Sequence, residues 1–95
     1  MMAGGFSNVK PGDQEAQEIA NTVKSTVATR TGHPLNVFRV VQYATQVVAG
    51  MNYKLKVETD GGEHLHLRVY RPLPHTGEGP QLKDVERGKT LADPL

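Results

Sequence analysis

His64 and His66 lie two apart in a run that alternates polar with apolar residues, so on a strand both imidazoles leave the same face and need one more ligand to chelate a metal ion. The sequence does not complete such a site. Arg68 follows on that face as a competing cation, Cys is absent, and no carboxylate pair stands nearby. The pair is expected on a solvated outer face, and neither a metal nor another cofactor is expected. Ser7 and Ser25 carry hydroxyls that a histidine base could activate, but neither occupies a G-x-S-x-G turn that exposes a nucleophile. No residue is assigned a catalytic role, and the chain is not expected to be an enzyme.

The remaining chemistry is that of contact. Gln46, Val47, Val48, Ala49 and Gly50 fall where a hairpin between two strand-like runs needs a turn, yet three of the five are apolar. Turn tips draw on Gly, Pro, Asn, Asp and Ser, which reach positive φ or bond their own backbone, whereas Val is stiff at χ1 and prefers extended geometry. An apolar tip implies a surface meant to be covered by a partner. A second reading, in which Val47 and Val48 end a buried strand that Gly50 breaks, stays open on periodicity alone. Two further segments suit contact. Gly4 and Gly5 allow close backbone approach to another surface, and Leu73, Pro74 and His75 form a rigid apolar loop after a strand ending near Tyr70.

These segments need elements to position them. After an expected mobile arm, 1–10, Asp13 is a plausible N-cap and Glu15 puts negative charge in the first helical turn. Ala16, Ile19, Ala20, Val23 and Val27 then recur at helical spacing, and Gly32 can end the helix. From Val37 the period becomes two. Tyr53, Leu55, Val57 and Thr59 alternate with polar residues, Asp60, Gly61 and Gly62 supply a turn, and Leu65, Leu67 and Val69 resume the alternation. Phe38 and Val40 have the opposite parity to Val41 and Tyr43; a bulge within 39–42 would bring both pairs to one face. Residues 72–80 read as a loop, 81–85 as an edge strand, and 86–95 as a polar tail. One domain of 95 residues is implied, of α+β class, with one helix on one face of an antiparallel sheet of four to five strands. In such a meander the tip at 47–49 and the loop at 73–75 lie side by side.

Composition excludes several classes. A net charge of +1, dispersed Lys and Arg, and 5% aromatic residues argue against nucleic acid as a partner. No apolar run approaches the roughly 20 residues of a bilayer span, and the N-terminus lacks a basic start and apolar core of a secretory signal. The absence of Cys favours a reducing compartment. A cytoplasmic protein without a membrane partner is expected.

The string of residues 46–50, the start Met1, Met2, Ala3, Gly4, Gly5, and the Leu73, Pro74, His75 loop together resemble a stefin, the Cys-free type 1 branch of the cystatin superfamily. The similarity runs along nearly the whole chain, through Gln17, Glu18 and Ile19, Gln42 and Tyr43, Asn52 and Tyr53, and 66–69. It implies a cystatin-like sheet wrapped around one long N-terminal helix. It also implies a reversible, tight-binding competitive inhibitor of papain-like cysteine proteases such as papain and the cathepsins. Arm and two hairpins would form the wedge, with Met2 and Ala3 entering the non-primed subsites. An alternative of a different class is a non-inhibitory protein-binding module on the same fold. The departure is at the end: 82–95 is more polar than the family's last strand and tail and lacks its aromatics, which puts that strand in question. Valines in a tight turn further suggest a monomer that can open its hairpin into a domain-swapped dimer.

Overall fold

The computed structural model describes residues 5–95. Its helix begins with a local cap. Asp13, in extended conformation, accepts the Ala16 N–H through Oδ1 at 2.9 Å, satisfying a donor that a helix start leaves free. Helix α1 runs Gln14–Thr31 and stops at Gly32, whose N–H returns to the Ala28 carbonyl. The second Asp13 oxygen accepts Tyr43 Oη at 2.7 Å. These backbone and side-chain bonds hold the Asp13 carboxyl below its ordinary range, and the bond to Asp13 together with burial pushes the Tyr43 hydroxyl up to about 12. Tyr53 donates to Glu15 Oε2 at 2.9 Å; burial first, then this bond, raises its pKa to about 12. Both tyrosines thus tie the first turn of α1 to the sheet.

Five strands follow one another across one antiparallel sheet: β1 Lys10–Pro11, β2 Phe38–Val48, β3 Gly50–Thr59, β4 His64–Arg71 and β5 Gln81–Lys89. The buried face of α1, made by Ala16, Ile19, Ala20, Val23 and Val27, packs on Phe38, Val40, Tyr43, Leu55, Val57, Leu67 and their neighbours. This is the α+β layer expected from the two periodicities.

The expected bulge is present, with an uneven outcome. Pairing passes from Val40↔Val57 to Gln42↔Lys56, which leaves Val41 without a partner on β3 and returns Tyr43 to the helix side. Val41 itself is only half-buried rather than part of the core. At the other end, β5 reaches Lys89 instead of stopping at Val85, because β4 offers backbone partners to polar residues as well: Glu86 pairs with His66 and Lys89 with His64. The expectation of a mobile arm over 1–10 fails at 7–10, which are held beside β2. Ser7 N–H donates to the Thr45 carbonyl at 2.7 Å, Thr45 N–H donates to Ser7 Oγ at 3.0 Å, and Lys10 pairs with Tyr43. Residues 7–12 therefore run antiparallel beside β2.

Candidate functional site

The β2–β3 hairpin is tighter than its sequence suggests. Gln46 pairs with Asn52, Val47 with Met51, and Val48 with Gly50, so Ala49 alone stands outside the ladder. Val47 is 73% exposed and Val48 39%, which decides between the two readings of the tip: these valines are not core. Gly50 turns the chain with φ 110°, and a Cβ there would lie 2.5 Å from the Arg71 carbonyl oxygen and 2.9 Å from the Tyr70 ring. Only glycine fits both demands. Tyr70 Oη donates to the Ala49 carbonyl, and Asn52 Nδ2 donates to Gln46 Oε1 at 2.9 Å.

The ladder carries this end of the sheet onward, since Met51 pairs with Arg71 at the end of β4. Pro72 is buried, and Leu73, Pro74 and His75 are exposed. A one-turn 3-10 helix, Pro74–Thr76, fixes their loop: Thr76 donates to the Leu73 carbonyl from N–H at 3.1 Å and from Oγ1 at 2.8 Å, and Gly77 N–H donates to the Pro74 carbonyl. The structure thus brings 46–50 and 73–75 to one end of the sheet. Because the N-terminal segment is antiparallel to β2, residues 5–6 lie toward the same end, with Gly5 exposed. Met2, Ala3 and Gly4 lie outside the described residues.

Such an edge can bind but carries no pair of groups for acid–base or nucleophilic work. His75 is the one titratable side chain within 46–50 and 73–75. No group of three or more His, Cys, Asp or Glu is placed to hold a metal among the described residues, and no helix there is long and apolar enough to cross a membrane. A groove of about 520 Å³ lies at the opposite end, between the end of α1 and the β3–β4 turn, lined by His33, Asp60 and Arg87 among others.

The expectation for the histidine face needs correction. His64 is half-buried and Arg68 exposed, but His66 is only 6% exposed, and Lys56 beside it is fully buried. The cause is the tail. Residues after β5 fold back over this outer face, and the Lys56 ammonium donates to the carbonyls of Thr90, Leu91 and Asp93 at 2.6, 2.7 and 2.5 Å. Sequence reading missed this cover and the Tyr70 bond for one reason: in both cases the acceptors are backbone carbonyls, which leave no residue-type signal.

A cystatin domain model matches residues 4–90. Cystatin-B of Oplegnathus fasciatus is 38% identical over 95 residues, covering all of this chain and 95% of that protein. The leukocyte cysteine proteinase inhibitor 1 of Sus scrofa is 39% identical, with 100% and 92% covered. Stefin-C of Bos taurus is 38% identical over 92 residues, with 97% and 91% covered. Matched by that model over nearly its whole length and by such relatives from end to end, the chain belongs to the cystatin family.

Proposed function

We propose that this chain is a reversible, tight-binding competitive inhibitor of papain-like cysteine proteases, cathepsins among them, acting in the cytoplasm as a monomer. What supports the reading is an apolar rim at one end of the sheet in a chain whose relatives include a cysteine proteinase inhibitor. Val47, Val48, Leu73 and Pro74 fill the cleft and exclude substrate. Met2, Ala3, Gly4 and Gly5 occupy the non-primed side, and Gln46, Ala49, Gly50 and His75 complete the contact.

Inhibition on this reading is steric. A substrate must lie extended to present its carbonyl to the thiolate, whereas the chain at Ala49 reverses within one residue and its carbonyl is engaged by Tyr70. No scissile bond is offered in line. A nanomolar complex corresponds to about −12 kcal/mol, which interfaces concentrate in a few desolvated central residues. Titration of papain activity with the intact chain and with Val48→Asp tests the proposal. The intact chain should inhibit reversibly at nanomolar concentration. Val48→Asp buries an unpaired charge on binding and should weaken inhibition by more than about a hundredfold with its circular dichroism unchanged. A folded intact chain without effect on papain refutes the reading and leaves the non-inhibitory binding module standing.

A further inference from the structure

Tyr70 sits next to the last residue of β4, three residues before the second loop begins, and pairs across the sheet with Asn52 and Gln81. Its ring lies against Gly50, where a Cβ would meet Cε1 and Oη at 2.9 Å each. Its hydroxyl donates to the carbonyl of Ala49, the single residue of the first hairpin outside the ladder. The tip is thus fastened from the side to the strand that leads into Leu73, Pro74 and His75. Behind it, Asn52 ties Gln46 at 2.9 Å on the same register row.

Beyond the ladder pairing of its neighbours Val48 and Gly50, no other side chain among the described residues bonds to Ala49. Its side chain is exposed, and it is followed by a glycine that adds conformational freedom. Without the phenol, the tip would sample several shapes, and only those that keep Val47 and Val48 in line with the second loop would dock. We infer that Tyr70 is a positioning residue for inhibition, whose hydroxyl locks the first hairpin tip to the second loop before the protease arrives. This rests on the inhibitor reading above. It assigns to one phenolic hydroxyl the preorganisation that a mostly apolar rim needs, since apolar contacts alone set no orientation.

Preorganisation has a kinetic signature that direct contact lacks. When only a fraction of free molecules is competent to bind, apparent affinity falls by that fraction through the association rate, while the bound complex dissociates as before. Tyr70→Phe keeps the ring against Gly50 and removes only the hydrogen bond. Stopped-flow measurement of papain binding should show association slowed about fivefold, the range of one net hydrogen bond, with dissociation within about twofold of the intact chain. Backbone ¹⁵N relaxation of the free variant should show residues 47–50 less ordered and the rest of the sheet unchanged. Three results would overturn the inference while sparing the inhibitor reading: an unchanged association rate, a change confined to dissociation, or a tip as ordered as before. Failure of the intact chain to inhibit would instead sink the inhibitor reading, and this inference with it.

Discussion

Lys56 is a charge placed where the alternation of β3 puts a solvent-facing residue, yet it is fully buried. Three carbonyls of the tail satisfy its three donors, so the lysine and residues 90–93 stabilise each other. Lys56→Met should lower stability by about 1–3 kcal/mol, because those carbonyls lose their donor, and should expose 90–95 to proteolysis without altering the rim. Limited digestion together with urea unfolding checks both effects. His66 lies beside this cage with Nε2 buried and without a partner among the described residues. Burial first, then the charges of Lys56 and Lys89, push its pKa below the ordinary 6.5, against smaller opposing effects of Glu86 and Asp93. The folded state therefore binds fewer protons than the unfolded one at mildly acid pH. The stability it contributes is complete above pH 6.5 and is lost as pH falls from there through the lowered value. The urea midpoint should accordingly fall between pH 7 and pH 5, and His66→Gln should flatten that stretch of the profile.

Gln17 shows how one side chain can stand in for a strand. β1 covers β2 only at Gln42 and Tyr43, so the first residues of β2 form an open edge beside α1. There the Gln17 amide donates from Nε2 to the Phe38 carbonyl at 2.9 Å and accepts the Val40 N–H through Oε1 at 2.9 Å. Both bonds are those a paired strand would make. Gln17→Leu keeps helical propensity but strands both backbone groups, with an expected loss of about 1–3 kcal/mol and faster exchange of the Val40 amide. Hydrogen exchange with and without the change would test it. The elements themselves were legible because their signals are local: an aspartate before a 3.6-residue stripe, a glycine after it, and strict alternation at 53–59 and 65–69. The bulge was legible as a clash of parity. What could not be read were contacts joining a side chain to distant backbone, as at Gln17, Lys56 and Tyr70, because a carbonyl is offered by every residue alike. The exposed apolar rim was legible for the opposite reason: valines and a proline–leucine pair stand out where solvated turn residues belong.

At the scale of the whole molecule, the same tight tip divides the chain into two parts. α1 with β2 lies on one side of Ala49, and β3 through β5 on the other, joined within the core and across the ladder from Phe38↔Thr59 to Val48↔Gly50. If 48–50 straightened, β2 and β3 would become one long strand, and each part would find the same surfaces on a second copy. Valine is at home in an extended chain and Gly50 accepts either conformation, so the hinge opposes the exchange little. What opposes it is kinetic: the entire β2–β3 ladder and the helix packing must open first, which costs nearly as much as unfolding. Exchange should therefore be undetectable at rest and appear after partial thermal unfolding at high concentration, where association is favoured by mass action. Gel filtration after heating and cooling should show a dimer peak that does not inhibit papain, because the straightened hinge no longer presents Val47 and Val48 at a tip. Tyr70→Phe, which releases Ala49, should form that dimer after milder heating than the intact chain. A dimer peak with full inhibitory activity would show that the two copies join elsewhere and that the tip stays closed.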